Sequence, residues 1–222
     1  MVRSLWEGRE GREMGNSQAR AVVAMIRRRV VGVWLAVAAS AFLATVPMPL
    51  RAADAVTVET LEGQRVDPLR FAPGVRAAVF VFVSTECPVS NRYAPEVVRL
   101  YDGLAANGVR FTLVYPNPAE SASDIRTHLK EYGYPMDALR DPAHAFVKRI
   151  GISITPEAAV FTPDGKLAYR GRLDDRYVSL GLERPAPTRR DLADALTDLL
   201  AGRPVRTPRT QAVGCYVADF AR

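Results

Sequence analysis

The chain alternates between continuous apolar runs and stretches whose apolar residues recur three and four positions apart. Ala77 to Val83 reads AAVFVFV, rich in β-branched and aromatic side chains, and predicts a strand covered on both faces. After STECPVSNRYAPE come Tyr93, Val97, Leu100, Tyr101 and Leu104, the spacing of a helix with one buried face. Pro95 lies inside that pattern and predicts a kink. Gly108 ends the helix, and Val109 to Tyr115 predicts a second buried strand. Ser121 or Ser123 is placed to cap a helix presenting Ile125, Leu129 and Tyr132 and closed by Gly133. Asp141-Pro142 reads as a cap followed by proline in the first turn, with Gly151 past the helix end. Ala158 to Thr162 predicts a strand, Pro163-Asp164-Gly165 a turn, and Leu167 to Gly171 the returning arm of a hairpin. Beyond a polar loop at 173–187, Thr188 to Asp191 has the form of a capping box. It opens a helix with Leu192, Leu196, Leu199 and Leu200 that stops at Gly202. An edge-like strand at Val56 to Leu61 precedes all of these. The alternation predicts an α/β fold, a central mixed β-sheet flanked by helices.

The first 53 residues carry a different pattern. From Met25 the chain reads MIRRR, then VVGVWLAVAASAFLATVPMPL, then RAADAV. A cationic stretch, an apolar run and small residues are the three parts of a secretory signal peptide. Residues 1–24 fit neither signal nor core, which makes Met25 an alternative start. Cleavage is expected after Ala53 or Ala55. Val30 to Leu50 is also long enough to span a bilayer, so a retained membrane anchor is the competing reading. Pro47 and Pro49 favour cleavage. In either version the folded part lies outside the cytoplasm, periplasmic or secreted, where two cysteines can oxidise. The expected organisation is therefore 1–53 as extension and signal peptide or membrane anchor, 54–202 as one domain, and 203–222 as a tail carrying Cys215.

Composition sharpens this division. Of 222 residues, 48% are hydrophobic and only two are cysteine, which excludes a disordered chain and a disulfide-dense scaffold. The formal net charge of +6 is mostly a leader surplus. Eight Arg and three Glu precede residue 54, whereas the remainder holds twenty-two Lys or Arg against twenty-one Asp or Glu. A near-neutral domain without aromatic and basic interleaving is not expected to bind nucleic acid. Both tryptophans, Trp6 and Trp34, lie before residue 54, so a cleaved protein is expected to lack tryptophan.

Cys87 stands four residues beyond the first buried strand and directly before the helix. A helix N-terminus supplies free N–H groups and a positive dipole end, both of which favour a thiolate. Pro88 suits the first helical position, Ser90 can donate a hydrogen bond to the sulfur, and Arg92 can add positive charge. Glu86 opposes them. Position alone leaves an inert, buried thiol as an equal alternative.

Residues 77–172 resemble the thioredoxin superfamily, on its redoxin or peroxiredoxin-like branch. The likeness rests on the apolar strand, the cysteine at the strand–helix junction, Ala94-Pro95 in the helix, and Ile154-Thr155-Pro156 before the hairpin AVFTPDGKLAYRG. It makes 54–202 a thioredoxin-like domain. It implies that Pro156 is cis and lies beside Cys87, with the Thr155 backbone pairing with a bound substrate chain. Three departures bear on the chemistry. Cys87-Pro-Val-Ser90 holds no second cysteine for a local dithiol. Phe80 stands where peroxiredoxins place proline, although Ser84 matches their Thr or Ser. Asn91 stands where copper chaperones of this fold place their second cysteine. Cys215, in AVGCYVADF, is then either a distant resolving cysteine, attacking an oxidised Cys87, or one end of a permanent bridge. Free thiols and an intermolecular pairing are the remaining options.

The resemblance implies an exported thiol oxidoreductase with Cys87 as nucleophile, Ser90 orienting it, and Thr155 and Pro156 shaping the cleft. Its substrate is a peroxide or a protein thiol or disulfide, with the electron donor left open and no cofactor implied. The alternative is a non-catalytic binding domain or a copper-chaperone-like domain. His128 is expected at the surface or boundary of its helix and His144 as a structural side chain. A Cys87/His144/Cys215 metal site lacks supporting spacing. Arg172, Asp174, Asp175 and Arg176 are expected to form a charged loop near the site.

Overall fold

The computed structural model describes residues 56–218. The signal-peptide or anchor assignment and residues 219–222 of the tail lie outside them. Among the described residues no helix is long and apolar enough to cross a membrane.

Strand β3 (Ala77–Phe82) is buried at every position and lies inside the sheet. Its neighbours explain the unbroken apolar run. It pairs in parallel with β4 (Val109–Tyr115) on one side and antiparallel with β7 (Glu157–Phe161) on the other. Beyond β4 come β5 (Asp137–Arg140), β1 (Val58–Thr60) and β2 (Arg65–Val66), and beyond β7 comes β8 (Leu167–Gly171). The seven-stranded order is β2-β1-β5-β4-β3-β7-β8. Side chains alternate between two cores, as the strand period of two requires. Ala77, Val79 and Val81 join Tyr93, Val97, Leu100, Ile125, Leu192 and Leu196. Ala78, Phe80 and Phe82 join Leu139, Phe146, Ile150, Ile152 and Phe161 on the opposite face.

The kink expected at Pro95 is a break between α1 (Pro88–Arg92) and α2 (Ala94–Leu104), with Tyr93 between them. Ser121 is the cap of α3 (Ala122–Glu131), in a full capping box with Asp124. Helix α5 (Asp191–Leu200) carries the predicted leucine face.

Sequence and structure differ at five places. Strand β5 escapes the sequence pattern because DALR neither alternates nor runs apolar. Helix α4 (Ala145–Ile150) starts later than Pro142, because His144 adopts a left-handed φ of 57°. Asp141 still caps it, accepting from the N–H groups of Ala145, Phe146 and Val147 at 2.8, 2.9 and 2.9 Å. The polar loop at 173–187 contains a small hairpin, β9 (Tyr177–Ser179) with β10 (Leu182–Glu183). Thr188 does not cap α5; its hydroxyl donates to Asp175 at 2.5 Å. The tail also contains structure: β11 (Cys215–Tyr216) pairs antiparallel with β6 (Ile154–Thr155).

Candidate functional site

Cys87 is the N-cap of α1 and only 2% exposed. Pro88 occupies the first turn, and the Ser90 N–H reaches the sulfur at 3.5 Å. Cys87 Sγ also lies 3.1 Å from the Thr155 carbonyl oxygen, to which a thiol can donate. The Thr155–Pro156 peptide bond is cis. The second cysteine reaches the same point from the far end of the chain. Cys215 faces Thr155 in the β6–β11 register, and its Sγ is 2.7 Å from Cys87 Sγ with both sulfurs present as free thiols. The structure therefore brings Cys87, Ser90, Thr155, Pro156 and Cys215 together.

The two thiols differ electrically. Burial alone pushes Cys87 up, but the Cys215 thiol and the nearby Ser90 hydroxyl and N–H outweigh it and hold the thiol below its ordinary value. The Ser90 hydroxyl is completely buried and, in the resting arrangement, meets no partner of good geometry. Cys215 moves the opposite way: burial, then its hydrogen bond to Cys87 and the charge there, pushes it up to about 12. Within the pair the negative charge belongs on Cys87 and the proton on Cys215.

Other expected contributors are turned elsewhere. Arg92 pairs with Glu183 at 2.9 Å instead of adding charge to the sulfur, and Glu86 is exposed. Ser84 Oγ donates to Glu120 at 2.7 Å, as do Thr85 N–H at 2.7 Å and Thr85 Oγ1 at 2.9 Å, so Glu120 grips the loop before Cys87. Phe80 packs edge-on to Phe146 and Phe161, with ring centroids 4.9 and 5.8 Å apart, in the core on the other face. The acidic pair at 174–175 is buried scaffolding. Asp174 accepts from Tyr93 Oη at 2.5 Å, and Asp175 holds the loop before α5. Arg172 pairs with Asp191 at 2.7 Å.

His128 is 3% exposed, not superficial. Burial pulls it below the usual histidine range, so its neutral ring links Tyr115 Oη and Asn91 Oδ1, each at 2.9 Å. Asn91 Nδ2 in turn donates to Thr85 O at 3.0 Å. This Tyr115–His128–Asn91 chain, absent from the sequence-based expectation, ties α1 to the loop that carries Cys87. A polar histidine on an otherwise apolar helix face was its one sequence signal. His144 Nε2 lies 2.8 Å from Pro116 O, which suits a structural role. Among the described residues no three His, Cys, Asp or Glu side chains cluster as a metal site.

A strand–helix cysteine beside a cis-proline, on a mixed sheet flanked by helices, defines a thioredoxin-superfamily protein. The Redoxin family model matches residues 47–179, more than half of the chain, and the chain belongs to that family of thioredoxin-fold redox proteins. The solved structure of an uncharacterized conserved protein from Geobacillus kaustophilus is similar at 27% identity. Its TM-score is 0.62, over 72% of this chain and 86% of that one. A hypothetical protein from Sinorhizobium meliloti 1021 is similar at 22% identity, with a TM-score of 0.61 over 72% and 88% of the two chains. A secreted Mycobacterium tuberculosis disulfide oxidoreductase is similar at 20% identity, with a TM-score of 0.45 over 67% and 96%. No curated protein matches the chain.

Proposed function

We propose that this is an exported thiol–disulfide oxidoreductase whose working dithiol is Cys87 and Cys215. Export is supported by the leader pattern before residue 54. One observation carries the chemistry: sulfurs 128 positions apart in sequence lie 2.7 Å apart. Cys87, the more acidic thiol, is the attacking sulfur. Its thiolate attacks one sulfur of a partner disulfide, forming a mixed disulfide while the other partner sulfur leaves and takes a proton. Cys215 then gives up its proton and attacks Cys87 Sγ. The second partner sulfur leaves as a thiol and a Cys87–Cys215 disulfide remains. Two electrons have passed to the partner, and an external dithiol restores the pair by the reverse exchange.

A peroxide can enter the same cycle. Cys87 takes one oxygen as sulfenic acid with release of water or alcohol, and Cys215 displaces that oxygen as water. Disulfide exchange fits better, because Ser84 and Arg92 are committed to Glu120 and Glu183 and do not reach Cys87 to activate a peroxide.

The test is stepwise oxidation of the reduced protein in glutathione buffers, read by alkylation and mass spectrometry. The two thiols are expected to disappear together as one intramolecular bridge. The Cys215→Ser variant should instead accumulate a glutathione adduct on Cys87. Independent loss of the two thiols, with Cys87 no more reactive than free cysteine, removes the reading.

A further inference from the structure

The edge beside the cis-proline is already occupied by the protein's own tail. Strand β11 lies antiparallel on β6, Cys215 faces Thr155, and the Val217 N–H donates to Ser153 O at 3.0 Å. Cys87 is sealed beneath this strand. The closest approach is at Gly214: a Cβ there would sit 2.0 Å from the Thr155 carbonyl oxygen and 2.7 Å from its carbon. No strained φ marks this glycine, so its role is clearance and not backbone freedom.

The segment is held unevenly. Its upstream end is clamped: Arg170 N–H donates to Pro208 O at 2.9 Å and Thr210 N–H to Arg170 O at 3.1 Å. Thr210 Oγ1 lies 2.7 Å from Tyr169 Oη and accepts from Arg172 N–H at 3.1 Å. Downstream, the paired strand is two residues long, Tyr216 is 81% exposed, and Val217 alone of the last three described residues is buried. Between the two parts lies a polar cavity of about 240 Å³, lined by Arg209, Gln211 and Ala212 of the tail and by Ile154 and Glu157. A firm anchor, a cavity beneath the next residues and a short terminal strand describe a strap that can lift from Gln211 onward.

We infer that residues 211–217 are a tethered competitor for the site where a polypeptide partner must bind. This rests on the reading of Cys87 as the reactive sulfur. While the strap is docked, a polypeptide reaches Cys87 only by displacing it. The strap also specifies its rival: an extended chain that pairs with Ile154–Thr155, places its own cysteine opposite Thr155, and carries glycine immediately before that cysteine. The exchange is then the first step above, the partner chain's sulfur joining Cys87 as its leaving thiol departs.

The test uses full-length reduced protein and a synthetic peptide of residues 209–218 whose cysteine carries thionitrobenzoate as a mixed disulfide. Release of thionitrobenzoate reports attack by Cys87. Cys215→Ser keeps the strap without its thiol, and Gly214→Ala in that background should free it. The double variant is expected to react roughly tenfold faster, the change corresponding to about 1.4 kcal/mol of lost docking. In that variant a peptide with alanine before its cysteine should react roughly tenfold more slowly than the glycine peptide. Hydrogen exchange at the Val217 amide, slow in the wild type, should become fast with Gly214→Ala. Equal rates in the single and double variants, or retained protection at Val217, overturn the competitor. If both variants react no faster than a free thiol, the Cys87 reading fails instead, and the competitor falls with it.

Discussion

At the scale of single residues, one proton is divided unequally between two sulfurs. Cys87 sits below its ordinary pKa because donors reach it; Cys215 sits high, near 12, because it is shielded and faces a charged neighbour. A more acidic sulfur is present as thiolate more of the time and also leaves more easily. Ser90 is the part of this arrangement open to a clean test, since its buried hydroxyl has no competing partner. Removing a donor to the thiolate raises the Cys87 pKa, so the loss must show below the titration midpoint and vanish above it. Ser90→Ala in a Cys215→Ser background should therefore alkylate with iodoacetamide roughly fivefold more slowly at neutral pH, about the 1 kcal/mol of one hydrogen bond. The two rates should converge at high pH. A uniform loss across the whole pH range would assign Ser90 to packing alone.

At the scale of elements, the loop that sequence patterning left blank turns out to be a clasp. Asp175 accepts from Thr188 N–H at 2.7 Å, Thr188 Oγ1 at 2.5 Å and Arg189 N–H at 2.9 Å, joining the β9–β10 region to the start of α5. These bonds, the Thr188 hydroxyl foremost, hold the Asp175 carboxyl down at about 2, against 3.8 for the free group. A carboxyl with a lowered folded pKa stabilises the protein while ionised, and that stability goes as the pH falls from about 3.8 through about 2. The wild type should lose denaturant resistance over that window. Asp175→Asn should be less stable at neutral pH and show a shallower loss on acidification. A variant with the same acid profile as the wild type would sink the clasp. Elements with a full period, such as β3, β4, β8 and α5, were legible because their apolar faces are long enough to declare themselves. Strand β5 and the β9–β10 hairpin were not, since their pairing is set by neighbours already in place. Cys87 was legible from the strand–helix junction it occupies, and Pro156 from the resemblance to the thioredoxin superfamily. The burial of His128 was not, because the partners that satisfy its ring, Tyr115 and Asn91, come from separate elements.

At the scale of the molecule, the site closes the chain on itself. Cys87 leaves the central strand early, whereas Cys215 returns after the rest of the sheet has been laid down. A two-residue strand has too little pattern to be read in sequence, and its position is set by pairing with β6 and by the clearance at Gly214. Joining the sulfurs encloses a span of 128 residues, including β4, β5, β7, β8 and α5. In the reduced protein the sulfurs already lie side by side, so bridging asks little of the folded state and chiefly restricts the unfolded one. On the chain-entropy model that restriction is worth on the order of 4–5 kcal/mol. The oxidised protein should therefore unfold at a clearly higher denaturant concentration than the reduced one, and with a smaller m value, because a cross-linked unfolded chain exposes less surface. Cys215→Ser should match the reduced protein under both conditions. Urea titrations of the three samples, with thiols counted before and after, provide the comparison. If the oxidised and reduced midpoints coincide while the bridge is present, the cross-link does not restrain the chain, and the long-range closure has no energetic weight in the fold.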